Sequence, residues 1–196
     1  MEAIERERLE GEVALRQLER MRSMQYAYHQ KFFSWITLVF VLLAALWVFG
    51  GSAGLWLMPF VVVTAGVQAA FYLHFCDFAR VHAAAFERRI NGLLGERVLR
   101  GSELESDYFY PLPAPKVAGF VPSRPFSFFS VYTLHWCVLW AGVFTVSLYR
   151  LWAGQPGPWT RVVVGVALVW AVANAGYVAW FFLRGDSVRR MARSLE

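Results

Sequence analysis

The sequence predicts an all-α polytopic membrane protein: four transmembrane helices arranged as two hairpins, with helical extensions on the cytoplasmic side. Three observations carry this reading. Apolar residues make up 58% of the 196 residues and the mean hydropathy is +0.41, whereas soluble domains hold about 45–50% apolar residues. Charged residues are 17%, against about 25% in the soluble norm. The third observation is four runs without Asp, Glu, Lys or Arg, at 32–49, 55–76, 126–149 and 162–183. Each falls within the roughly 17–25 residues that a helix needs to cross the hydrocarbon core.

The same composition excludes several classes. Abundant aromatics (17%) argue against disorder. Two cysteines, both in apolar sequence, do not make a disulfide scaffold. Continuous apolar runs argue against a β-barrel, whose strands are about ten residues long and alternate. The first run is not expected to be a signal peptide, because some thirty residues rich in Glu and Arg precede it.

Residues 1–31 read as a cytoplasmic N-terminal helix. Glu2/Arg6 and Glu12/Arg16 stand at i,i+4 in the favourable order. Leu15, Leu18 and Met21 form a narrow apolar seam, suited to a neighbouring helix or the membrane surface. Only Gly11 interrupts the stretch, so it is expected to run straight into the first span.

Residues 32–76 form the first transmembrane hairpin, turning at Trp47-Val-Phe-Gly-Gly-Ser-Ala-Gly-Leu-Trp56. With neither Gly nor Pro between Val67 and Asn91, the second span should continue past the membrane, through Asp77, Arg80 and Glu87. Its expected apolar side is Phe78, Val81, Ala85 and Phe86. Residues 77–125 thus combine a cytoplasmic helix with a Pro-rich linker over 111–125, where proline lacks the amide donor that a helix needs. Residues 126–183 form the second hairpin, turning at Trp152-Ala-Gly-Gln-Pro-Gly-Pro-Trp159. The halves share this layout, but every membrane hairpin uses Gly or Pro turns and interfacial Trp, so duplication does not follow. Residues 184–196 are a basic tail.

Lys and Arg set the orientation. Residues 1–31 hold six, 76–130 hold seven and 184–196 hold four, while the two short loops hold only Arg150 and Arg161. Cytoplasmic loops keep the excess of Lys and Arg, so both termini and the central segment are expected in the cytoplasm, across the cytoplasmic membrane if the source is bacterial. The net charge of +5 does not imply nucleic acid, since the basic residues of the first 130 are nearly matched by acids. The excess lies in the loops and in the tail at Arg184, Arg189, Arg190 and Arg193, which anionic lipid headgroups would attract.

Inside the spans the informative residues are neutral. Thr37, Gln68, His135 and Asn174 lie about five to nine residues in from the cytoplasmic boundary of their runs, within about one helical turn of depth. They read as a polar intramembrane layer, serving either interhelical hydrogen bonds or a permeation site. Ala167, Ala171, Ala175 and Ala179 form an i,i+4 row in the fourth span, and Gly66 and Ala70 repeat that spacing in the second. Such rows read as helix-packing faces, first of all within the chain and otherwise at a subunit interface, because small residues let helices approach closely in lipid.

Neither catalytic residues nor a metal or other cofactor is expected. His29, His74, Asp77 and His82 lie near the cytoplasmic boundary, but His74 and His82 are about 12 Å apart along a straight helix, too far to share a zinc ion. Glu103, Glu105 and Asp107 precede Tyr108, Phe109 and Tyr110 as a helix end meeting the membrane surface. No phosphate-binding, nucleophile-elbow or Cys-x-x-Cys motif is present. The expected function is non-enzymatic: a homo-oligomeric pore or channel with a neutral polar layer, or alternatively a structural or accessory subunit packed in a larger membrane complex. The expected partners are the bilayer, anionic lipid, and further copies of the chain or other membrane subunits.

Overall fold

The computed structural model describes residues 2–108, 119–154 and 156–183. Five helices make up the described chain: α1 Glu2–Phe49, α2 Gly51–Leu94, α3 Gly101–Tyr108, α4 Phe128–Gly154 and α5 Pro158–Leu183. No β-strand occurs among the described residues. Four helices, α1, α2, α4 and α5, are long and apolar enough to cross a membrane. The chain is therefore consistent with an integral membrane protein.

The two longest helices dominate. α1 has 48 residues and α2 has 44, about 72 and 66 Å at the rise of an α-helix. Each is about twice the 30 Å hydrocarbon thickness. They lie side by side and antiparallel. Arg89 meets Glu10 at 3.2 Å near one end. Ala14 and Leu18 then pack with Ala83 and Ile90, and Tyr28 stacks on Phe75 with centroids 4.8 Å apart. Further along, Phe32 and Ile36 pack with Ala69, and Val39 and Leu43 pack with Met58 and Val62. The buried positions of α1 at 14, 18, 32, 36, 39 and 43 keep to spacings compatible with a 3.5-residue repeat, the geometry that keeps one seam facing a partner helix.

A close corner joins the pair. α1 ends at Phe49 and α2 begins at Gly51, whose φ of +54° is in the left-handed region that glycine enters without a Cβ penalty. A Cβ on Gly54 would lie 2.5 Å from the Leu46 carbonyl oxygen, so glycine lets the start of α2 rest on the last turn of α1. Within the apolar half, the Trp35 indole donates to the Ala65 carbonyl at 3.1 Å. Such interhelical bonds contribute about 0.6 kcal/mol in membranes.

The seam outside the apolar half differs from the expectation. Ala14, not Leu15, is buried; Leu15 is 47% exposed. On α2 the closed face is Ala79, Arg80, Ala83, Ala84, Glu87 and Ile90; of the expected side, Phe86 packs half-buried against this seam, as Met21 does from α1, while Phe78, Val81 and Ala85 are half-buried beside it. Alanines bring the two axes close, and charged side chains enter the seam because they find partners there. One surface pair differs as well: Glu12 bonds Arg8 at 3.3 Å rather than Arg16; Arg6 meets Glu10 at 3.6 Å, and the Glu2 side chain lies outside the described residues. Both pairs are exposed and contribute little to stability.

α2 ends with Gly95 as a left-handed cap at φ +68°. Asn91 then closes the following loop, donating to the Leu99 carbonyl at 2.7 Å and accepting its N–H at 2.8 Å. α4 begins two residues later than the apolar run, at Phe128. The Ser127 hydroxyl accepts the Ser130 amide at 3.3 Å, the usual bond of a serine N-cap. Ser130 is itself buried and accepts the Val121 N–H at 3.0 Å, which ties the segment before α4 to its first turn. α5 begins four residues earlier than its run, at Pro158, where a proline costs no helical bond. α4 and α5 lean on α2 more than on each other.

Candidate functional site

Two features stand out, an apolar groove and a buried charge cluster. The groove has a volume of about 790 Å³ and lies between α2, α4 and α5. Gly66 and Ala70 of α2 line one wall, and Ala171, Ala175 and Ala179 of α5 line another. The two rows of small residues face the same space. Ala167 is the exception, buried at 1% exposure.

The four neutral polar residues of the spans stand on four different helices. Thr37 is exposed and its hydroxyl donates to the Phe33 carbonyl of its own helix at 3.0 Å. Asn174 lines the groove and donates to the Trp170 carbonyl at 2.8 Å. Gln68 is half-buried, and His135 is exposed on α4 beside Trp136. No hydrogen bond joins any two of the four among the described residues.

The charge cluster ties α1, α2 and α3 together. The Arg22 guanidinium reaches the Glu87 carboxylate at 2.6 Å through Nη2 and the Glu105 carboxylate at 2.6 Å through Nη1. The second Glu87 oxygen accepts the backbone N–H of Ser102 at 2.8 Å, so a side chain of α2 caps the start of α3. The second Glu105 oxygen accepts from Arg80 Nε at 3.3 Å, and Asp77 lies 3.9 Å from Arg80 Nη1. Ser102 and Glu105 stand three apart on α3 and therefore share the face turned to the long pair. Charges can be buried here because each is matched by opposite charge or donors. The acidic run 103–107 is thus partly spent on fastening α3.

His29 sits at the inner edge of the cluster, just before the first apolar run. Burial holds its pKa below the ordinary value of 6.5, and the Arg80 guanidinium adds to that effect; the Gln25 backbone, Glu105 and Asp77 act the other way. His74 is packed edge-on against Phe181 and Phe182 of α5, with centroids 5.3 and 5.6 Å away. The ring Nδ1 of His82 lies 2.8 Å from the Phe78 carbonyl. Among the described residues no three His, Cys, Asp or Glu side chains gather as metal ligands. Cys76 and Cys137 are free thiols. The basic tail with Arg184, Arg189, Arg190 and Arg193, and the linker stretch 109–118, lie outside the described residues.

No local spacing in the sequence groups Arg22, Arg80, Glu87 and Glu105 as a cluster. Their signal was faint but present: Arg22 lies four residues beyond Leu18 on the seam, and Glu87 lies four beyond Ala83, where a solvated charge would be out of place.

Comparison with protein-family models, with curated proteins and with solved structures finds no match for this chain.

Proposed function

We propose that this chain is a non-enzymatic membrane subunit that works by packing beside other membrane helices in a larger assembly. The observation that carries the reading is the 790 Å³ groove walled by Gly66 and Ala70 on one side and Ala171, Ala175 and Ala179 on the other. Association in lipid depends on close van der Waals packing at small residues, and here such residues from two helices face a space that the described residues do not fill. In this reading α1/α2 and α4/α5 are two transmembrane hairpins, both termini are cytoplasmic, and the outer parts of α1 and α2 with α3 form a cytoplasmic stalk. The Lys/Arg distribution supports that orientation. The Arg-rich tail would then lie against anionic lipid.

The test is purification in mild detergent after expression in a native background. A stoichiometric foreign subunit that is lost on Ala175→Leu supports the proposal. A chain that runs alone, unchanged by Ala175→Leu, removes it.

A homo-oligomeric pore is the second reading. The exposed position of His135 favours it, because an imidazole facing hydrocarbon would find a partner on another copy of the chain, whereas Thr37 already bonds the Phe33 carbonyl of its own helix. A neutral layer made of Thr37, Gln68, His135 and Asn174 would then form between copies. Liposome flux by the purified wild type, altered in His135→Gln, supports this reading; absence of flux opposes it.

A further inference from the structure

A second cavity, of about 380 Å³, lies between α1, α2 and α4. Phe32 and Ile36 of α1, Gly66 and Ala70 of α2, and Tyr132 and Trp140 of α4 are among its walls. Its volume is within the roughly 300–1,000 Å³ of small-molecule sites. Because it is enclosed by helices apolar enough to span a membrane, a molecule would enter it from lipid.

One wall residue is not satisfied by the protein. The indole Nε1 of Trp136 is buried and has no hydrogen-bond partner among the described residues. Trp35, on the facing helix, shows the contrast, since its indole N–H reaches the Ala65 carbonyl at 3.1 Å. A donor left unmade in an apolar medium is costly. An indole N–H can only donate, so whatever satisfies it must present an acceptor. An anionic acceptor is disfavoured, because burying an unpaired charge in this wall costs far more than burying a neutral oxygen. The cavity also has a polar end: His29, Leu73 and Phe129 are shared with an adjoining space of about 80 Å³ that Gln25, Asp77 and Arg80 line. The two spaces together have an apolar body and a polar extremity.

We propose that the 380 Å³ cavity binds a neutral, lipid-soluble carbonyl compound. Its carbonyl oxygen accepts the Trp136 N–H, and its apolar body lies between α1, α2 and α4. A membrane quinone and an ester-linked lipid share this chemistry. The site lies on the α1 side of α4; Gly66 and Ala70 also wall the larger groove, whereas Trp136 and Ala69 line this cavity and not that groove, so variants at the latter two test it separately from the subunit role proposed above.

The experiment measures retention of two probes, a decyl-substituted benzoquinone and monoolein, by the full chain in detergent. Variants are Trp136→Phe, which keeps an aromatic ring and removes the donor, and Ala69→Leu, which adds bulk at a wall of this cavity that the larger groove does not share. Trp159→Phe, at an exposed position, is the control. The expected result is saturable binding of at least one probe at one per chain. Trp136→Phe should weaken it about fivefold, the loss of one neutral hydrogen bond; Ala69→Leu should abolish it, and Trp159→Phe should leave it intact. Binding of the quinone alone or of monoolein alone identifies the source. Saturable binding of neither probe overturns the proposal, as does equal affinity in Trp136→Phe. If Trp136→Phe does not fold, undiminished binding by Ala69→Leu overturns it.

Discussion

Arg22 and Glu87 are joined at 2.6 Å, and the other oxygen of the same carboxylate receives the Ser102 N–H at 2.8 Å. One ion pair therefore links α1 to α2 and also fixes the start of α3. Glu87 is 6% exposed, so it depends on Arg22 for most of its compensation. Removing one member of a buried pair costs about 3–5 kcal/mol, whereas replacing both by apolar residues of similar volume is often neutral. Arg22→Ala should lower stability by about 3 kcal/mol, allowing for its partial exposure, and Arg22→Met with Glu87→Leu should recover only part of that, because the Ser102 N–H loses its acceptor and Glu105 keeps only Arg80. Unfolding in detergent measures both, and a double variant as unstable as the single one would refute the account.

Gly54 rests against the carbonyl of Leu46, with 2.5 Å between that oxygen and an added Cβ. Backbone must move to admit a methyl group, at a cost of about 1–3 kcal/mol. Gly54→Ala should therefore lower the unfolding midpoint, while Gly66→Ala, whose Cβ meets open space, should not. Equal midpoints for the two variants would show that the corner is not tight.

His29 makes stability depend on pH. Its pKa is below 6.5 in the fold, chiefly through burial. Below about 6.5 the unfolded chain takes up a proton that the folded chain resists, so the unfolded state gains. This contribution to stability is complete above about 6.5 and declines as the pH falls from there toward the folded value. Thermal unfolding should show a smaller loss between pH 7.5 and 5.5 in His29→Gln than in wild type. An identical loss in both would remove His29 as the cause.

The proposed orientation has its own test. In a background with Cys76 and Cys137 replaced, a cysteine at Ser52 should react with an impermeant maleimide on intact cells, and one at Ser187 should not. The reverse pattern would invert the topology.

Four membrane-length helices were legible from composition and run length, because lipid demands about 20 apolar residues in a row and few other structures supply that. The continuity of α2 to Leu94 was legible from the absence of helix breakers. The outer seam was not. Side chains at i and i+1 both look apolar in the pair Ala14 and Leu15, and which one turns inward depends on how closely the opposing Ala79, Ala83 and Ala84 let α2 approach. The partners of Arg22 lie 65 and 83 positions away, so no local spacing announces them. Depth along a helix axis is readable from residue number, which is why Thr37, Gln68, His135 and Asn174 could be assigned to one level. Azimuth around that axis is set by packing between helices, and this is what leaves Thr37 and His135 outside the bundle of a single chain while Asn174 lines its groove.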